Sequence, residues 1–200
     1  MGNLNNKISI LIDKELKTLG DKEFARRRDR LIGEGVRSYG VETQEIRKIA
    51  KKYFKQFQER ETIRDWLGTI KDLLSTKVFE NQMAGIFLLG AFLKSGGKVS
   101  IPELERLIIK YLDNWATCDT ISSEVVAKIL SGSPKEIKTL YVWARSRNIW
   151  LKRIALVTIV KLKSEIENWQ EIASRIFSFS KKAKEPIIKK AVRWLEKELS

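Results

Sequence analysis

Histidine is absent from this 200-residue chain, cysteine occurs once and proline three times. Without histidine, imidazole general-base catalysis, Cys–His nucleophiles and most zinc sites are excluded. The lone Cys118 rules out an internal disulfide framework and any thiolate metal cluster, so no metal site is expected. Its default role is that of a small buried hydrophobe. No stretch reaches the ~18 apolar residues of a membrane span. The start, Met1-Gly2-Asn3-Leu4-Asn5-Asn6-Lys7, lacks the apolar run of a signal peptide. Asn6 stands where a myristoylation signal carries Ser or Thr. An intracellular, cytoplasmic protein without membrane contact is the expectation.

What the chain has in excess is positive charge. Lysine and arginine total 39 against 25 acidic residues, a formal net charge of +14. The cations recur in nearly every segment, which favours a basic surface on folded elements. Its natural partners are polyanions: DNA, RNA or an acidic membrane surface. A basic protein that is merely soluble fits less well, because solubility needs no such one-sided excess. Hydrophobic content of 43% with 32% charged residues supports a proper core and argues against disorder. One domain over 1–200, or a repeat array of that size, follows from the length.

Apolar residues recur with period 3.6, and no segment alternates with period two. Ile8, Leu11, Ile12, Leu16 and Leu19 mark a first helix. Phe24, Leu31 and Ile32 mark a second, which carries the basic cluster Arg26-Arg27-Arg28 and Arg30. Gly33, Gly35 and Gly40 bound a turn, and Thr43 is a candidate cap for a third helix. A fourth starts near Thr62. A fifth, Val78 to Phe92, is apolar on most of its circumference and so central. Ser95-Gly96-Gly97-Lys98 reads as a flexible loop, followed by Pro102 in a first helical turn. Ser133-Pro134-Lys135-Glu136 reads as cap, first position and capping box. Helices follow from Ile149 to Leu162, around Ile166, Trp169, Ile172 and Ile176, and from Pro186 to Leu199. Paired helices of this length predict an all-α fold, an α-α superhelix of HEAT-like repeats whose basic concave face could hold a duplex. The repeats are degenerate in sequence, and a helical bundle is the alternative.

Three places combine aromatic and charged residues. In Asn114-Trp115-Ala116-Thr117-Cys118-Asp119, the tryptophan and the acid stand four apart, about 5–6 Å at Cβ on one helix face. An indole beside a carboxylate suits a developing cation. The bland alternatives are a core tryptophan and an aspartate N-cap. In Asn148-Ile149-Trp150-Leu151-Lys152-Arg153, Trp150 shares a face with Ile154 and reads as core. Arg153 projects elsewhere, free to reach a phosphate or a carboxylate. In Lys190-Ala191-Val192-Arg193-Trp194, Lys190 adjoins Trp194 on the helix surface, which also fits a tryptophan lying under a lysine stem.

With Tyr39-Gly40-Val41, Thr43 and Ile46-Arg47 upstream, these motifs in this order resemble the DNA alkylation repair family of HEAT-like alkylpurine DNA glycosylases, the AlkD type. The resemblance runs from about residue 20 to the end. It implies that Asp119 is the catalytic carboxylate, Trp115 and Trp194 the two catalytic-site tryptophans, and Arg153 a phosphate-binding arginine within the catalytic set. Lys190, Lys152, Arg193 and Arg47 join Arg153 as DNA-binding candidates, Arg47 as a structural or backbone-contacting position. Two departures stand out. The chain ends six residues after Trp194, where members often continue through further helices, so duplex affinity and footprint are not carried over. The aromatic that some members carry in their N-terminal helices has no counterpart.

The chemistry agrees with the residues. Alkylation at N3 or N7 of a purine leaves the base cationic and already a good leaving group, so no general acid is needed. An ordinary glycosidase uses two carboxyl groups, one as that acid. Here one carboxylate suffices to stabilise an oxocarbenium-like sugar and orient water, with indole faces adding cation–π attraction. The expected protein is a monomeric, cofactor-free, monofunctional DNA glycosylase of base excision repair, acting on alkylated double-stranded DNA. A catalytically silent module that binds nucleic-acid backbone is the first alternative, and a protein-binding scaffold the second.

Overall fold

The computed structural model describes residues 4–33 and 35–200. The reading of Met1-Gly2-Asn3 lies outside them. The described residues are helical with no strand, and one parallel bridge, Arg37 to Val78, is their isolated β pairing. Among them no helix is long and apolar enough to cross a membrane. Contacts divide the chain into two compact units, Met1–Val99 and Ser100–Ser200.

The first unit holds α1 (Leu4–Thr18), α2 (Lys22–Ile32), α3 (Thr43–Phe57), α4 (Ile63–Ser75) and α5 (Phe79–Lys94). As its sequence predicts, α5 is buried almost all round and packs on α3 and α4. Leu19 and Leu31, expected on the apolar faces of the first two helices, are instead exposed. Thr62 and Asp65 form a full capping box at the start of α4. Thr43 proves to be the first helical residue; Glu42 takes the cap position without a side-chain bond. Ser95-Gly96-Gly97 is a turn tied back to α5, with the Gly97 N–H donating to the Phe92 carbonyl at 3.0 Å.

One buried acid organises the segment before α3. Glu80, fully enclosed in the first turn of α5, accepts hydrogen bonds from the backbone N–H groups of Tyr39, Gly40 and Val41 at 2.8, 2.9 and 3.1 Å. It also accepts from Ser38 Oγ at 2.8 Å and from the Arg28 guanidinium. Arg28 donates in turn to the Val41 carbonyl and lies between the rings of Phe24 and Phe79. The basic cluster on α2 is therefore not wholly a surface: Arg28 faces inward because Glu80 is there to neutralise it. Gly40 sits at φ 85°, and a Cβ there would come within 1.9 Å of the Asp21 carbonyl oxygen. Only glycine fits that approach.

The second unit begins with α6 (Ile101–Tyr111), capped by Ser100 with Pro102 in its first turn. Next, α7 (Trp115–Ile121) runs through a π-helical turn, Ser122–Val126, into α8 (Ala127–Ser131). A 3-10 turn, Pro134–Ile137, leads into α9 (Lys138–Ala144). Ser133 makes no side-chain cap bond there, so the capping box with Glu136 does not form. The tight turn is closed by backbone instead, Glu136 N–H to the Ser133 carbonyl. Then come α10 (Ile149–Lys161), α11 (Trp169–Ser180) and α12 (Pro186–Leu199); Ile166 precedes α11 rather than lying on it. The centre here is α10, with eight of its residues from Arg153 to Val160 buried in an unbroken run. Neighbouring helices pack as pairs (α4 on α5, α9 on α10, α11 on α12), and so do next-but-one helices (α3 with α5, α10 with α12), while α7, which runs on into the short α8, packs on α10. That is the contact pattern of an α-α repeat array, as expected.

Candidate active site

Asn114 starts α7. Its backbone is extended, and its side-chain oxygen accepts from the Thr117 N–H at 3.0 Å, a standard capping geometry. A helix beginning there puts Trp115 in the first turn and Asp119 one turn on. Asp119 is therefore not a cap, which removes one of the bland alternatives. Trp115 is half-buried and so not plain core. The hydroxyls of Thr120, Ser122 and Ser123 donate to main-chain carbonyls three or four residues back, leading into the π-helical turn. Such turns recur at functional sites.

A second cap places the partner of Asp119. Asn148 accepts from the N–H groups of Trp150 and Leu151 at 2.9 and 3.1 Å and so starts α10. Arg153 follows one turn later, buried to 6% exposure. Its Nε donates to Asp119 Oδ1 at 2.8 Å and its Nη2 to Oδ2 at 2.7 Å. Its Nη1 donates to the carbonyl of Ile187, in the first turn of α12, at 2.7 Å. Of the two anions left open by the sequence, the structure has Arg153 on a carboxylate. The guanidinium carbon also lies 5.9 Å from the Trp115 ring centre. Trp150, expected in the core, is half-buried, while Ile154 is fully enclosed.

Trp194 is half-buried seven residues beyond Ile187, on the same face of α12. Lys161, in the last turn of α10, holds its ammonium 4.9 Å from the Trp194 ring centre. Its charge also acts on Asp119. Burial pushes the Asp119 carboxyl above the ordinary aspartate value, against the downward pull of Arg153 and then Lys161. A guanidinium on both oxygens favours the charged form of the acid. The Asp119 side chain keeps 25% exposure, so the carboxylate is held but reachable. Cys118 is fully buried, and burial raises its thiol well above the usual range.

The remaining candidates fall in different places. Lys190 is exposed one turn before Trp194 on its face of α12. Arg193, next to Trp194 in sequence, borders the end of α11, where with Lys181, Lys182 and Lys189 it lines a cleft of about 600 Å³. Lys152 is half-buried at the start of α10, its charge felt by Glu185. Arg47 belongs to the first unit, where its guanidinium lies 4.1 Å over the Phe87 ring. Sequence reasoning missed Lys161. Its signal was the eight-residue step from Arg153, which puts both on nearby faces of a helix apolar between them except for Thr158.

Among the described residues no group of histidine, cysteine and acidic side chains could hold a metal ion. A carboxylate anchored by arginine beside one indole, and a second indole under a lysine, are thus set in a strongly basic helical-repeat chain. The chain belongs to the DNA alkylation repair enzyme family, whose sequence model matches residues 12–200. It thus has a DNA repair role with DNA as its substrate. No individual curated protein matches it.

Proposed function

We propose that this chain is a monofunctional DNA glycosylase that hydrolyses the N-glycosidic bond of cationic N3- and N7-alkylpurines in duplex DNA. The observation that carries this reading is the partly exposed carboxylate of Asp119, oriented from one side by Arg153. A carboxylate has about four lone-pair positions. The arginine takes one on each oxygen, which leaves the others for an attacking water and for the sugar as it turns positive. Trp115 and Trp194 supply electron-rich faces, each worth roughly 1–2 kcal/mol toward a desolvated cation. The preoriented anion supplies the larger share.

In this reading no cofactor takes part and the chain acts as a monomer. Lys190 and Lys152 hold phosphates near the lesion, Arg193 and Arg47 contact or support contacts to backbone elsewhere, and Arg153 acts chiefly by positioning Asp119. The absence of a second carboxyl group acting as general acid has a consequence that tests the reading. Duplex containing 7-methylguanine should lose its base at a rate far above background, whereas duplex containing the neutral base hypoxanthine should not. Equal release of both would contradict the reading.

The rival, a silent module that binds backbone, draws support from the same ion pair, since Arg153 partly neutralises the acid. It predicts steeply salt-dependent DNA binding with no release from either duplex.

A further inference from the structure

A second acid, in the first unit and independent of Asp119, has no partner. Glu61 lies in the link between α3 and α4, its N–H donating to the Phe57 carbonyl at 3.1 Å. Both oxygens of its carboxylate are enclosed and accept no hydrogen bond from any described residue. Enclosed anions without a partner are costly, and such a group can be met by a counter-charge.

Glu61 lines a cleft of about 340 Å³ whose walls include Phe54, Trp66 and Phe92, with Ile63 beside them. Glu61 carries the one charged side chain in that lining among the described residues, and Ile63 brings the positive end of α4 beside the negative helix ends. Gln58 is the C-cap of α3 and Ser95 the C-cap of α5, and both are in the lining, so the negative ends of two helix dipoles meet there. Asp65 adds its charge nearby, joining burial in raising the Glu61 carboxyl. The Phe54 and Trp66 rings pack 4.8 Å apart at a tilt of 42°. They are almost fully buried, so the carboxylate rather than the rings must supply most of the attraction. In a chain of net charge +14, the charged side chain of this cleft is an acid.

The lining also says which kind. A hard metal ion wants six or more oxygen ligands, and no metal-ligating group occurs among the described residues. Aromatic walls and the 60% exposed Ile63 suit instead a cation with an apolar stem. Gly97 closes the cleft over Phe92: a Cβ there would come 2.4 Å from that ring. We propose that this cleft binds an alkylammonium group, with Glu61 as its counter-charge and the apolar walls receiving its alkyl stem.

Titration of the full chain with butylammonium chloride, followed by backbone-amide and indole NMR signals, tests this. Saturable shifts are expected at Gly96, Gly97 and the Trp66 indole, and Glu61→Gln should weaken binding at least ten-fold. The same variant should keep its unfolding midpoint or raise it, which separates lost binding from lost fold. 1-Butanol should not compete, because it has the stem without the charge. A parallel titration with Nα-acetyl-lysine methylamide distinguishes the sources: tighter binding than butylammonium points to a lysine side chain, equal or weaker binding to a free amine. Unsaturable shifts, undiminished binding by Glu61→Gln, or equal competition by potassium chloride would overturn the proposal.

Discussion

Arg153 grips Asp119 with two parallel hydrogen bonds, Nε to Oδ1 at 2.8 Å and Nη2 to Oδ2 at 2.7 Å, while its third nitrogen holds the Ile187 carbonyl. Three helices thus meet at one guanidinium, and the direction of the Asp119 carboxylate is set by α10 and α12 as much as by its own helix. Such a fork fixes orientation in a way that a single-point ammonium cannot.

Arg153→Lys should therefore keep the charge and lose the alignment. Base release from 7-methylguanine duplex under single-turnover conditions should fall by roughly 10²-fold, the scale of a 1 Å misplacement. Arg153→Ala should in addition lower stability in urea by about 3 kcal/mol, since it strands a partly buried acid. An unchanged rate in Arg153→Lys would remove the positioning role.

The pH dependence follows from the Asp119 carboxyl, which burial raises above its ordinary value of 3.8. Only the anion can steady a cationic sugar, so activity falls as pH drops through the raised pKa. The acid limb of the single-turnover rate should lie above the ordinary aspartate range. Lys161 pulls that pKa down, so Lys161→Met should move the limb to higher pH. For stability the sign is opposite. A raised carboxyl favours the fold fully below its unfolded pKa, and the contribution fades as pH rises through the folded pKa.

Lys190 stands one turn before Trp194 on α12, whereas Arg193 lines the cleft against the end of α11, so their loss should differ in kind. Lys190→Ala should slow base release and flatten the salt dependence of DNA binding by about one unit of slope. Arg193→Ala should weaken binding and leave the rate at saturating protein unchanged. Titrations at several salt concentrations beside single-turnover rates make the comparison. Identical behaviour of the two variants would refute this division.

Within the first unit, Glu80 accepts from Arg28, Ser38 and three successive backbone N–H groups. Glu80→Ala should cost about 3–5 kcal/mol in urea unfolding, because it leaves Arg28 buried without a counter-charge. Gly40→Ala should be strongly destabilising as well, given the 1.9 Å approach to the Asp21 carbonyl. A loss below 1 kcal/mol in either would mean that the segment is held by something else.

Helices were legible because burial imprints a 3.6-residue period. Ile8, Ile12 and Leu16 lie fully in the core as their spacing implies, and Thr62 caps α4 as its motif implies. Features that depend on distant partners were not legible. Arg28 looks like its exposed neighbours, and only Glu80, 52 residues away, turns it inward. The Ser133 and Glu136 box failed because a 3-10 turn satisfies its donors through backbone. At the site, Trp115 and Asp119 share a face by helical spacing alone. The 34-residue step from Asp119 to Arg153 follows no local rule, so their pairing emerges only from the packing of α7 on α10. The step from Arg153 to Lys161 is visible in the sequence, but the placement of Lys161 over Trp194, on another helix, is not.

The central claim is that an ionised Asp119 drives departure of a cationic base. The most direct measurement is single-turnover release of 7-methylguanine from duplex DNA by the wild-type chain and by Asp119→Asn, which keeps shape and removes charge. The account predicts a loss of at least about 10²-fold, the usual effect of deleting a key transition-state electrostatic partner. Equal rates for the two proteins would contradict it.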